Sequence, residues 1–137
     1  MDKLDTVADA NENPVPDELR NLFNNADGVR VQKLPCELPE LGSMAVNFGP
    51  GTRTRPHRHH RGQQLIVTEG VGVVGDEQGV HVVRAGDVIS NPPGTWHWHG
   101  ATPRMAMTHV TVETPGDFDL NVEGWNWAEV YSPELGA

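Results

Sequence analysis

The chain has 137 residues, the length of one domain, with 36% hydrophobic side chains and 6% aromatic ones. Ten Lys plus Arg against 19 Asp plus Glu give a formal charge of −9, the reverse of the basic footprint that nucleic-acid binding requires. No apolar run is long enough for a membrane span, the first residues carry no apolar signal core, and the single cysteine, Cys36, rules out an internal disulfide framework, so a cytoplasmic setting is expected.

Residues 1 to about 13 are polar and acidic without a period, and read as an arm. Pro16, Asp17 and Glu18 open a short helix, because proline fits the first helical position and acids favour that end. Leu19, Leu22 and Phe23 give it an apolar stripe, and residues 24–28 close it. From there the apolar period changes to two. Strands are expected at 29–32, 44–48, 55–59, 64–68, 71–74, 80–83, 88–90, 96–100 and 105–113, parted by Gly and Pro clusters. Short strands at such spacing make a sandwich or a small barrel. Residues 115–121 are expected to loop out to a tail with Trp125, Trp127 and Tyr131, which would cover an open end of the barrel or a subunit partner.

Chemistry concentrates in the histidines. His57 and His59 lie two apart in a strand-like stretch, so their side chains leave one face. Gln63 follows a turn at Gly62. His97 and His99 repeat the two-residue spacing after Pro92-Pro93-Gly94. Three imidazoles and one amide oxygen converging inside a barrel would hold Mn, Fe, Co or Ni with positions left open, as catalytic sites require. The alternative for residues 57–61 is a solvated charged loop, and for Gln63 a mere hydrogen bond to a water or a ligand histidine.

The wider pattern is more specific. Residues 51–70 read Gly-x5-His-x-His-x3-Gln-x6-Gly, and residues 86–101 read Gly-x5-Pro-x-Gly-x2-His-x3-Ala. These closely resemble the two signature motifs of the cupin superfamily, with Gln63 where the family has Glu and Ala101 where it has Asn. The resemblance covers residues 44 to 113 and implies an all-β, jelly-roll-like conical barrel with a metal held inside. On it the chain divides into an acidic arm with a short helix (1–28) and a barrel with its aromatic tail (29–137). It implies His57, His59 and His97 as metal ligands, with Gln63 in the glutamate's place. A neutral amide there leaves the site one negative charge short and the ion a stronger Lewis acid.

The wording His-x-His-x3-Gln-Gln-Leu-Ile-Val-Thr, then His97-Trp98-His99-Gly100-Ala101 and Ala106-Met107-Thr108-His109, is similar to that of the bacterial manganese cupin hydroxynitrile lyases. This likeness implies a divalent cofactor, Mn in the first place with Fe, Co, Ni or Zn as alternatives, and an aromatic cyanohydrin as the small-molecule substrate. It also points to His109 and Thr54 as residues that assist catalysis beside the metal. A cupin of this size is expected as a homodimer or higher homo-oligomer.

The remaining residues are weighed singly. Met105, Met107, His109 and Thr111 alternate, so if that face looks inward His109 is placed as a general base; otherwise it is a core histidine. His99 shares the face of His97, as a proton relay or a packing residue. Thr54 holds a substrate oxygen or caps a turn. Arg53 and Arg55 are expected at the surface, His60 faces solvent, and His81 has no evident partner. Trp96 and Trp98 face away from His97 and would pack between sheets or at a dimer interface. Met44, Val46, Phe48, Leu65, Met105 and Met107 are expected to wall the substrate's site. The leading reading is a metal-dependent lyase with His109 as base. An iron-dependent dioxygenase and a non-enzymatic small-molecule-binding cupin stand as alternatives.

Overall fold

The computed structural model describes residues 3, 4 and 14–121. Nine strands follow the N-terminal segment: β1 (Val29–Leu34), β2 (Gly42–Phe48), β3 (His57–His59), β4 (Gln63–Asp76), β5 (Gly79–Arg84), β6 (Val88–Asn91), β7 (His97–Ala101), β8 (Met107–Glu113) and β9 (Phe118–Leu120). One sheet runs β1-β2-β8-β4-β6, and the other runs β5-β4-β7-β3-β9, all antiparallel. The all-β jelly-roll barrel is the fold the motifs imply.

β4 is the hinge of the architecture, because it belongs to both sheets. Its first half pairs with β6 and β8, its second with β5 and β7, and the register to β8 slips between Val67 and Glu69. A bulge of this kind bends a strand and adds twist, which is what a strand needs to pass from one sheet to the next. Gly70 sits at the bend with φ +77°, where a Cβ would run into the carbonyl of Ala106. The sequence pattern places a break at residues 69–70 and so divides one 14-residue strand into two. Conversely, residues 115–121 are not wholly a loop. Phe118–Leu120 pairs with β3, a contact far apart in sequence that a three-residue run cannot announce.

The N-terminal segment is a 3-10 helix, Asp17–Leu22, with Pro16 as its cap. It is stitched to the stretch before β3: Arg55 N–H donates to Leu22 O at 2.6 Å, Asn24 N–H to Arg53 O at 3.1 Å, and Arg53 N–H to Asn24 Oδ1 at 2.9 Å. Arg53 is accordingly buried, at 8% exposure, rather than on the surface. The main core joins Val15, Phe23 and Ala26 of this segment to Val29, Val46, Phe48, Val67, Val83, Ala101 and Met107. A second cluster centres on Trp98 and Val73, backed by Val80 and Val82. Trp98 is fully buried, and Gly75 opposite it leaves the room its indole fills. Trp96 instead lies beneath the Arg58 guanidinium, 4.7 Å from the ring centre. Trp125, Trp127 and Tyr131 lie outside the described residues.

Candidate metal centre and its cavity

Pairing between strands brings the histidines together. His57 and His59 project inward from β3, and His97 is the register partner of His57 on β7. All three are buried, and their ligand atoms lie within 4.8 Å of one another. Gln63, the first residue of β4, brings its Oε1 to 3.1 Å from His97 Nε2.

The surroundings fix which ring nitrogens are free. His57 Nδ1 lies 2.8 Å from Arg55 O, and His97 Nδ1 lies 2.9 Å from Thr95 O. A carbonyl oxygen only accepts, so both Nδ1 atoms carry the proton and both Nε2 atoms present lone pairs. His59 Nδ1 sits 2.7 Å from the Glu113 carboxylate, an ion-pair distance without hydrogen-bond alignment, and neither of its buried ring nitrogens makes a hydrogen bond among the described residues. Burial holds His57 far below the ordinary imidazole range, helped by the neighbouring His97, and pushes His97 down to about 4, so both are neutral at pH 7.

A lone pair on His97 Nε2 therefore faces the amide oxygen of Gln63 across 3.1 Å. Two acceptors at that distance repel unless a cation lies between them. Ligands at about 2.1 Å from one ion and at right angles would themselves be roughly 3 Å apart. Three imidazoles and an amide oxygen suit a divalent ion of the Mn-to-Zn series. The residues present fit a metal.

A second pair lies beside this centre. His109 Nε2 on β8 is 2.9 Å from His99 Nδ1 on β7. The rings of His99 and His97 are stacked with centres 5.6 Å apart, and those of His99 and His57 meet edge-on at 5.2 Å. One imidazole must donate and the other accept, and His99 Nε2 and His109 Nδ1 stay without a partner among the described residues. Burial pushes His109 down to about 4 and holds His99 well below its usual range, the latter aided by its neighbour His109. Phe48 packs edge-on against both rings, at 6.0 Å and 5.1 Å, and Phe23 packs edge-on against Phe48. Thr54 Oγ1 accepts the His99 N–H at 3.1 Å, while Thr54 N–H donates to His99 O at 2.8 Å. Its hydroxyl proton remains available to an acceptor in the cavity.

Most of these groups, though not His97, line a cavity of about 450 Å³. His57, His59, Gln63, His99, His109 and Thr54 line it, together with the apolar side chains of Leu19, Leu22, Val31, Leu34, Met44 and Val46. The wall differs in part from the sequence expectation. Met105 precedes β8 and is 42% exposed, whereas Leu65 and Met107 are buried away from the cavity. The leucines of the N-terminal segment take their place, because the clamp at Asn24 and Arg55 folds that segment over the site. His60 faces solvent and meets Asp119 at 3.0 Å, and His81 is exposed on β5. Glu113 went unnoticed in the sequence, although it continues the inward alternation of His109 and Thr111 by two residues.

Residues 44–112 match the cupin domain family, and the chain belongs to it. Over 74 residues it is 49% identical to an (R)-mandelonitrile lyase of Granulicella tundricola, an overlap covering 53% of this chain and 56% of that one. The chain thus spans little more than half the length of that curated relative. A cupin-like protein of Thermotoga maritima superposes with a TM-score of 0.72 at 28% identity, covering 87% of this chain and 92% of that one. A cupin 2 conserved barrel protein of Rhodopseudomonas palustris gives 0.67 at 18% identity, over 80% and 76% of the two chains. Three histidines thus form a possible metal site within a cupin barrel.

Proposed function

We propose that the protein is a metal-dependent lyase that cleaves or forms the cyanohydrins of small aromatic aldehydes. The observation that carries this reading is the buried neutral pair His99–His109 set beside three converging imidazoles, with His57, His59, His99 and His109 lining a largely apolar cavity. The partial likeness to a mandelonitrile lyase supports it. His57, His59, His97 and Gln63 would hold the ion, with Mn the first choice and Fe, Co, Ni or Zn compatible with the same donors. A bound divalent ion supplies Lewis acidity, lowering the pKa of a substrate hydroxyl.

The chain's own residues do the rest. The apolar wall seats the aryl group and excludes water. His109 accepts the hydroxyl proton, and His99 shares the resulting charge through the 2.9 Å contact. The C=O forms as the bond to cyanide breaks, and the proton returns to the departing cyanide as HCN. Thr54 donates a hydrogen bond from its hydroxyl to the substrate oxygen and keeps its proton. A base whose ordinary state is neutral suits this work, because it must accept a proton at neutral pH.

The test is benzaldehyde release from mandelonitrile under nitrogen, comparing Mn-loaded protein, metal-stripped protein and His97→Ala. Release above the spontaneous rate only in the Mn-loaded wild type is expected. Equal release in all three would sink the reading, and oxygen uptake by iron-loaded protein would then test the dioxygenase alternative.

A further inference from the structure

A divalent ion held by three imidazoles and an amide would bring two positive charges into a buried site with no anionic ligand to offset them. Glu113 stands where that charge is missing. It is the third inward residue of β8 after His109 and Thr111, and the register places it directly opposite Gln63 of β4. On its other side the register partner is Gly42, which has no side chain to compete for the space.

Its two oxygens serve two of the four candidate ligands. Oε2 lies 2.7 Å from His59 Nδ1, and Oε1 lies 3.4 Å from Gln63 Nε2. The first is a close approach without hydrogen-bond alignment, and a carboxylate oxygen there favours a proton on His59 Nδ1 and a lone pair on Nε2. The second turns the Gln63 amide so that its nitrogen faces outward and Oε1 faces His97. Asn91 Nδ2, which donates to Gln63 Oε1 at 3.4 Å, favours the same orientation. A carboxylate is the group that does both, since it accepts at each oxygen and donates at neither when ionised.

We propose that Glu113 is a positioning residue for the metal: through His59 and Gln63 it orients two ligands and returns to the site the negative charge that a glutamine ligand leaves out. The proposal rests on the metal-site reading of the four ligands, but not on the lyase reading. Outer carboxylates of this kind change metal affinity by roughly 10- to 100-fold when removed.

The experiment is Mn and Co titration of metal-stripped protein, with thermal melting of the metal-free and loaded forms and the visible spectrum of the Co form. Glu113→Leu is expected to bind both ions 10- to 100-fold more weakly. Its Co spectrum shifts, while its metal-free melting temperature stays close to that of the wild type. Glu113→Gln, which keeps one acceptor oxygen but no charge, falls between. Wild-type affinity and spectrum in Glu113→Leu would overturn the proposal, as would a weakening matched by an equal loss of metal-free stability. Should Glu113→Leu fail to fold, Glu113→Gln decides alone: weaker binding at unchanged metal-free melting supports the role, and unchanged affinity overturns it. Wild-type protein that takes up neither ion would sink the metal-site reading itself, an outcome distinct from failure of Glu113 and independent of mandelonitrile cleavage.

Discussion

The chain carries the same His-x-His spacing twice, and the two copies end in different chemistry. In β3 both imidazoles, His57 and His59, join the candidate metal cluster. In β7 only His97 does, while His99 turns to His109. Alternation along a strand is identical in the two cases, so spacing alone does not separate them. The neighbours do. His97 lies opposite His57, but β3 begins at His57, and beyond it the chain opposite His99 is Thr54, clamped there by two hydrogen bonds. Successive same-face residues of a strand are about 6.6 Å apart, so His99 sits one step further along the barrel, within reach of β8.

That contrast orders the experiments. The largest effect is expected at the first pair: His97→Ala should lose metal uptake outright, as read by metal content after dialysis. His59→Ala should do the same, and retention of a full equivalent by either would dissolve the distinction. At the second pair the expectation reverses. His109→Asn should keep the metal and, on the lyase reading, lower mandelonitrile turnover by about 100-fold or more. Loss of metal together with activity would place His109 with the ligands instead.

The second pair also sets an acid limit. His109 is held at about 4 against an ordinary 6.5, so the unfolded chain takes up a proton that the folded one refuses. The sign follows: above about pH 6.5 this residue adds no pH dependence, and from there down to about 4 stability falls, by about 3 kcal/mol in all. Urea unfolding of metal-free protein at several pH values should show a slope of at least this size, since His57, His97 and His99 are held low in the same direction, and His109→Asn should remove only the share of His109. The smallest effect is expected at the apolar wall. Leu22→Ala should raise KM for an aromatic substrate about 10-fold and leave metal content unchanged, since the side chain lines the cavity and offers no donor to a metal.

Much of the candidate site was legible because its histidines sit on strands, where a two-residue period fixes the face, and at spacings set by glycine turns. The alternation from His109 to Thr111 was legible for the same reason. Met105 was misplaced because alternation says nothing of where pairing starts: β8 begins at Met107, and Met105 remains outside it. Leu19 and Leu22 showed an apolar stripe, yet the stripe carries no record of the surface it covers. Glu113 kept the period but was a charged residue at a strand end, a position that ordinarily faces water.

By itself, the sequence determined the all-β class through its two-residue period, and the cupin barrel and the candidate metal donors through the spacing of its two motifs, which the resemblance to cupins made readable. Only the tertiary structure decided which histidines meet, which tautomer each adopts, and which carboxylate stands behind them. Those depend on register between strands distant along the chain, and on single carbonyls such as Arg55 O and Thr95 O that the fold brings within 3 Å of a ring.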